Sequence, residues 1–476
     1  MPGRQGDGDW SIICLSYVSP KGGHKRYMRK KLTYILLIVS RAQCLMAQSI
    51  DSTQRSDWTY HFQLTVIDQA HSGFKSAYGG MNSIADSVET GATSITSTLF
   101  LGRRLWKNGA LYFNPEISGG RGLSYAVGVA GALNGETYRI GDPAPSPSIA
   151  RAYLQQVIPL DSTDYEEGGD AVNQLGGKIP SNRIVISAGK FSISDFYDKN
   201  SYSHDPRSQF FNWSLMSNGA WDYPANTKGY TMGLVVEWIN PKWELRISSV
   251  AVPTVANHPD MEYKFGKAHS ETVEFLKNIH LVNNLPGKVA LLLSYTASRA
   301  PTYQQGLTAL QTGDTDLLNV ISGKNENNVY GGKKTGVGLN IEQGLTEDLG
   351  FFARAGWNDG KHVSWAFTEI DQTISAGLAL KGTRWKRKDD IVGLAEVVNG
   401  ISADHRAFLK AGGYGFIIGD GNLNYGHETI TEAYYSAQLS KTFWLTFDYQ
   451  FILNPGYNKD RHGPVHVFGF RAHIGI

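Results

Sequence analysis

The chain ends in Phe468-Gly469-Phe470-Arg471-Ala472-His473-Ile474-Gly475-Ile476, and this stretch decides how the rest is read. Successive side chains of an extended strand point to opposite faces. Phe468, Phe470, Ala472, Ile474 and Ile476 therefore share one face, and Gly469, Arg471, His473 and Gly475 share the other. The same alternation recurs upstream. Phe443, Leu445, Phe447, Tyr449, Phe451 and Leu453 oppose Thr446, Asp448 and Gln450. Leu349, Phe351, Ala353, Ala355 and Trp357 oppose Gly350, Phe352, Arg354 and Gly356. Tyr60, Phe62, Leu64 and Val66 alternate with His61, Gln63 and Thr65. Repetition from Tyr60 to Ile476 predicts an all-β protein: a transmembrane antiparallel β-barrel, apolar towards lipid and polar towards a water-filled lumen.

A secreted sandwich or β-helix shows the same alternation with the faces exchanged, since its apolar side chains form a core. Periodicity does not separate the two. The lack of a domain break, the lack of a disulfide framework and the aromatic strand ends favour the barrel. Hydrophobic residues make up 41% of the 476, and no run of 18 apolar residues exists for a helical span. The 53 Gly, 24 Tyr, 20 Phe and 11 Trp suit closely packed strands with aromatic girdles at the membrane surfaces.

The N-terminus reads in three parts. Residues 1–27 carry no targeting pattern and are expected to be an upstream extension that is not native. Residues 28–49 form a signal peptide: Arg29, Lys30 and Lys31, then Leu32–Val39, then Ala47-Gln48-Ser49 as a cleavage site. Residues 50–57 are a polar N-terminal stretch, and 58–476 read as a single barrel with inward-folded loops. Both cysteines, Cys14 and Cys44, precede the cleavage site, so the processed chain is expected to have no thiol. Residues 1–49 hold eight of the 45 Lys/Arg and two of the 43 Asp/Glu, which leaves 37 basic and 41 acidic side chains. Nucleic-acid binding then lacks electrostatic support.

Clear hairpins lie at Met232–Ile247, with a turn at Asn240-Pro241, and at Val337–Trp357, with a turn at Thr346-Glu347-Asp348. Further strands are predicted at 151–158, 184–189, 291–295, 372–381, 390–397, 412–418 and 431–440. His269–Asn278 reads equally as a short helix or a strand. Long loops are expected at 119–147, at 159–182 with an acidic cluster (Asp161, Asp164, Glu166, Glu167, Asp170), and at 300–330. The total is roughly 14–18 strands, a size at which barrels keep an open lumen.

Lys190-Phe191-Ser192-Ile193-Ser194-Asp195-Phe196-Tyr197-Asp198-Lys199-Asn200 runs on through Ser201-Tyr202-Ser203-His204-Asp205-Pro206-Arg207-Ser208-Gln209-Phe210-Phe211-Asn212-Trp213. Asn218-Gly219-Ala220-Trp221-Asp222-Tyr223-Pro224 and Gly229-Tyr230 follow. With Leu101-Gly102-Arg103-Arg104, Phe113-Asn114-Pro115-Glu116 and Glu432-Ala433-Tyr434-Tyr435-Ser436, this resembles the carbohydrate-selective porins of Gram-negative outer membranes, the OprB family. The resemblance implies a 16-stranded outer-membrane barrel that passes sugars down their gradient, with no cofactor. It also implies inward-folded loops that place charged and aromatic side chains at a constriction. Expected partners are neutral sugars, outer-membrane lipid and lipopolysaccharide, and the barrel assembly machinery, with a monomer or homotrimer as the assembly. One departure is Ile476, where such proteins end in Phe.

Sugars present hydroxyls and apolar ring faces, so a pore that selects them needs paired donors and acceptors beside flat aromatic surfaces. Arg103 and Arg104 end an apolar strand near Glu116, and one of the two must face inward. The bland reading is an interfacial arginine that snorkels to lipid head groups. Arg151, Glu237, Arg246, Glu342 and Arg354 lie on polar strand faces, as substrate contacts or as ion pairs that brace the wall. The block Asp195–Trp221 is the candidate inward loop. Asp195, Asp198, Asn200, His204, Asp205 and Arg207 offer polar groups there, and Tyr202, Trp213 and Trp221 offer ring faces. Alternatively, Asp205-Pro206 starts a turn, Arg207 pairs with an acid, and the aromatics pack the loop to the wall.

An enzyme is the less favoured reading. His204-Asp205 with Asp195 and Asp198 suggests a hydrolase pair or metal site, but no spacing fits a zinc or calcium motif and no nucleophile elbow occurs. A general porin and a surface adhesion protein complete the alternatives.

Overall fold

In the last strand the apolar face is the exposed one and the polar face is the buried one. Phe470 is 38% exposed, and Arg471 beside it is fully buried. Their partners one strand away repeat the contrast: Phe447, opposite Phe470, is 62% exposed, and Thr446, opposite Arg471, is buried. A soluble sandwich would show the reverse. Only a sheet with lipid outside and polar groups within has this polarity.

The computed structural model describes residues 56–137, 144–161 and 163–476. The expectations for residues 1–27 and 28–49, for most of 50–57, and for Cys14 and Cys44 lie outside the described residues. The barrel strands are β1 (Trp58–His71), β2 (Glu89–Trp106), β3 (Gly109–Gly120), β4 (Ser146–Pro159), β5 (Arg183–Phe191) and β6 (Thr231–Asn240). Next come β7 (Trp243–Val250), β8 (His269–Ile279), β9 (Gly287–Ser298), β10 (Gly332–Gly344) and β11 (Leu349–Asn358). The last five are β12 (Gln372–Gly382), β13 (Arg387–Gly400), β14 (Glu428–Ser440), β15 (Phe443–Leu453) and β16 (Val465–Gly475). Each pairs antiparallel with its neighbours in the chain, and β16 returns to β1 with Ala472 opposite Val66. The result is a closed barrel of sixteen strands. Closure leaves no unpaired backbone edge, the condition for crossing hydrocarbon. Trp58, Trp106, Trp238 and Trp385 stand exposed near the short-turn end, as an aromatic girdle requires.

His269–Ile279 is a strand, which resolves the open reading. Two sequence expectations fail. Residues 300–330, expected as one long loop, hold helices α1 (Tyr303–Thr312) and α2 (Thr315–Ile321). The α1 start is a capping box in which the Thr302 hydroxyl accepts from the Gln305 N–H and the Gln305 side chain accepts from the Thr302 N–H. Residues 412–418 form no strand. Phe416, Ile417 and Ile418 instead enter an apolar cluster built from loops, with Tyr303, Val320, Trp365, Phe408 and Tyr457. Phe408 lies on a third helix, Ala403–Lys410.

Residues 192–230, between β5 and β6, fold into the lumen, and polar side chains of the wall hold their backbone. Glu432 accepts from the N–H groups of Phe211 and Asn212, Glu274 from Asp198, and Glu342 from Ser201. Arg471 donates to the carbonyls of Pro206 and Gln209, both at 2.8 Å. Arg354 donates to those of Leu215 (2.9 Å) and Ser203 (2.6 Å) and pairs with the Asp198 carboxylate at 3.0 Å. Two inward glycines of β11 make room for the loop. A Cβ on Gly350 would lie 2.0 Å from the Tyr202 ring, and one on Gly356 would lie 1.9 Å from Asn218 Oδ1.

In Glu432→Gln the amide NH2 cannot accept, so one of the two buried loop N–H groups loses its partner, at a cost of about 1–3 kcal/mol. The amides of Phe211 and Asn212 should then exchange with deuterium about tenfold faster or more, while the strand amides keep their protection. Hydrogen exchange read by mass spectrometry checks this.

Candidate functional site: a charged and aromatic constriction

Two cavities lie along the lumen, of ≈ 370 Å3 towards the long loops and ≈ 740 Å3 towards the short turns. Arg151, Val172, Asp195 and His204 line both and so mark the throat between them.

One wall of the smaller cavity is a chain of ion pairs and hydrogen bonds. Arg151 on β4 grips Asp195 with two bonds of 2.6 Å, the fork-to-fork geometry that neutralises both charges. The Arg151 guanidinium also lies over the Tyr230 ring at 5.5 Å. The Tyr230 hydroxyl donates to Glu116 at 3.0 Å, and Glu116 accepts further from Thr98 (2.7 Å) and Arg207 (3.2 Å). Arg207 completes the set with Glu136 at 3.1 Å and with Gln63 and Thr98. Burial pushes the Glu136 carboxyl up, and the nearby Arg207 charge only partly offsets this. At Asp205 burial acts in the same upward direction, but the Arg207 guanidinium and backbone N–H outweigh it and hold the carboxyl below its usual range.

The same cavity is lined by aromatics. Trp213 opens the short helix Trp213–Met216, whose start is capped by the Asn212 side chain. Phe367 stacks on Trp213 at 4.2 Å with an 8° interplanar angle, and Tyr223 stacks on both, at 5.4 and 5.1 Å. Asp222 sets this stack by accepting from the N–H groups of Trp365, Ala366 and Phe367. The Trp213 indole nitrogen is buried and has no hydrogen-bond partner among the described residues.

The sequence candidates divide by place. Glu116, Arg151, Asp195, His204, Asp205, Arg207 and Trp213 line the smaller cavity. Arg104, Asn200, Glu237 and Arg246 line the larger one. Arg104 faces inward and pairs with Asp57 at 3.3 Å, while Arg103 is exposed and lies over Trp58 at 4.7 Å, on the lipid side. Asp198, Glu342 and Arg354 fasten the loop, as does Asn200, which donates to Asn340 at 2.8 Å. Arg246 is buried between Glu237 (3.0 Å) and Glu274 (2.7 Å) and braces the wall. Trp221 is buried against Tyr197 and Tyr223 and lines neither cavity. Sequence reading missed Tyr223, Tyr230, Glu136, Phe367 and Val172. Tyr223 and Tyr230 stood inside the quoted block, whereas nothing in the local pattern marks Phe367 or Val172.

Among the described residues no group of His, Cys, Asp and Glu is placed to hold a metal ion. A closed barrel narrowed by an inward loop, with a polar path past that loop, is a porin-type channel. The family model for "Carbohydrate-selective porin, OprB family" matches residues 94–475, and the chain belongs to that family. No curated protein matches it. Among solved structures, the high-pH form of Pseudomonas putida OprB has 16% identity and a TM-score of 0.62, covering 88% of this chain and 94% of that one. The low-pH form has 12% identity and a TM-score of 0.44 over 88% and 93% of the two chains. The outer-membrane channel DcaP of Acinetobacter baumannii has 10% identity and a TM-score of 0.46 over 89% and 100%. At these identities the likeness to the first structure speaks for the fold.

His204 supplies a pH test of the throat. Burial and the Arg354 charge lower its imidazole below the ordinary 6.5, so it is neutral at pH 7 and gains its proton only as the pH falls below 6.5. The added positive charge should reduce cation permeability over that acid range, and His204→Asn should remove this contribution while leaving that of Glu136, whose raised carboxyl also gains a proton on acidification. Reversal potentials across a KCl gradient, measured from pH 7.5 to 4.5, check both.

Proposed function

We propose that the chain is an outer-membrane channel for passive diffusion of neutral sugars, mono- and small oligosaccharides, into the periplasm. The observation that carries this reading is the pairing in one cavity of mutually neutralised ion pairs with a stacked aromatic surface. Ion pairs such as Arg151–Asp195 offer hydroxyls both donors and acceptors without the net charge that would draw ions. The Trp213–Phe367–Tyr223 stack offers an apolar ring surface to a sugar through Phe367, which is half-buried, with Trp213 and Tyr223 buried behind it. Each contact is weak and easily exchanged, which passage requires. In this reading the short turns face the periplasm, lipid and lipopolysaccharide surround the apolar band, and the barrel assembly machinery inserts it. Diffusion down a gradient needs no cofactor.

Swelling of liposomes that carry the refolded protein tests this. Faster swelling with neutral hexoses than with amino acids and ions of equal size is expected. Equal rates for all small solutes would replace the proposal with a general porin. Phe367→Ala should weaken sugar block of the ion current by about two- to tenfold, since an aromatic contact is worth about 0.5–1.5 kcal/mol. Titration of single-channel current with glucose and maltose measures it.

A further inference from the structure

Three of the four throat residues come from β4 and from the loop that enters at the long-loop end. Val172 arrives from the other end. It belongs to residues 160–182, the connection between β4 and β5, in which Tyr165–Gly168 and Gly177–Pro180 pair as a small hairpin separate from the barrel sheet. Beyond that pair the chain continues into the lumen. Ala171 and Gln174 exchange both backbone hydrogen bonds, at 3.2 and 2.9 Å, so Val172 and Asn173 are the two residues of a tight turn. Asn173 takes the left-handed conformation (φ +55°) that Asn tolerates and a β-branched residue does not. Val172 is left at the apex.

The tip is fastened on its flanks. Asp170 accepts from the Thr59 hydroxyl and bonds His61 Nε2 at 3.3 Å. Asn114 on β3 donates to Asn173 Oδ1 at 2.9 Å. Leu175 is buried in the apolar cluster that holds Tyr112 and Tyr153. Val172 is 40% exposed, Ala171 beside it is exposed as well, and of the tip residues only Val172 lines both cavities. An anchored turn that holds an aliphatic side chain in the water of a lumen does nothing for stability at that residue. What it does is join Arg151, Asp195 and His204 where the two cavities meet.

The geometry points to Val172 as a size-determining residue of the channel: the 169–176 tip closes the throat from the short-turn end and limits the bulk of the solute that passes. This rests on the channel reading and adds a filter to it. Arg151 and Asp195 cancel each other's charge, so discrimination at Val172 acts on bulk, and its methyl groups favour an uncharged solute surface.

The test uses the full chain with Cys14→Ser and Cys44→Ser, so that an introduced cysteine is the sole thiol. In planar bilayers, Val172→Cys treated with a small cationic methanethiosulfonate should lose at least half its conductance, and a reducing thiol should restore it. Asp164→Cys, at the exposed base of the hairpin, should be labelled without such a loss. In a second variant Asn-Gly replaces residues 169–176, a two-residue link that suits the paired Gly168 and Gly177. It should keep the heat-modifiable gel migration of a folded barrel and admit larger uncharged polyethylene glycols. Complete labelling of Val172→Cys, shown by mass, with unchanged conductance would overturn the inference. So would a folded deletion variant with an unchanged exclusion limit. Neither readout contains a sugar. Block at residue 172 without sugar preference would support this inference while refuting sugar selectivity, and no conductance from inserted parent protein would refute both.

Discussion

Every buried polar group on the inner wall of this barrel needs a partner, and most of the architecture follows from how that need is met. A carboxylate or guanidinium shut away from water is costly unless hydrogen bonds replace its hydration. Here the partners are the N–H and C=O groups of inward-folded chain. Glu428 takes the N–H groups of Ala130, Gly131 and Gly456, and Glu432 takes those of Phe211 and Asn212. Arg354 and Arg471 take carbonyls. Wall and loop satisfy each other, and neither has a low-energy arrangement without the other. Loops without helix or sheet can therefore sit inside a membrane protein, where irregular backbone is otherwise excluded.

The lumen is filled unevenly as a result. Towards β9–β14 the loops carry their own apolar cluster, with Tyr303, Phe408, Trp365 and Ile418. The open volume lies against β1–β9, where residues 169–180 and 192–230 turn polar and aromatic faces to the cavity. One inward segment, 192–230, does both tasks. Its backbone is held by wall side chains, while Asp195, Arg207 and Trp213 are left to line the path.

The strands were legible because a barrel imposes one rule on every residue: alternate, with apolar side chains out. Phe443–Leu453 and Phe468–Ile476 show the rule directly. Which face meets lipid was not legible, and the exposure of Phe447 against the burial of Thr446 decides it. The rule fails where the chain leaves the sheet. Phe416, Ile417 and Ile418 imitate a strand but are core for the loops. Thr302 and Gln305 announced a helix start that strand periodicity could not register. In the constriction, parity places Arg151 and Arg354 on the same inward side, yet one lines the throat and the other is buried under Leu215 and Ser203. That difference depends on where residues 192–230 fold, and no local pattern records it. Val172 was less legible still, since it reaches the throat from the opposite end of the barrel.

The fastenings also have a place in time. Phe211 is held by Glu432, 221 residues further along the chain, and Pro206 by Arg471, 265 residues further along. Such long-range contacts form late, because the intervening chain must be ordered first. A nascent barrel that has only its first strands paired holds the inward segment through early-strand groups such as Arg151 and Glu116, without the fastenings from Glu432 and Arg471. The pore reaches its final bore only in the event that seals its wall, so an arrested assembly intermediate would be an incompletely filtered hole. A cell with an outer envelope to protect thus has reason to complete or destroy such an intermediate quickly.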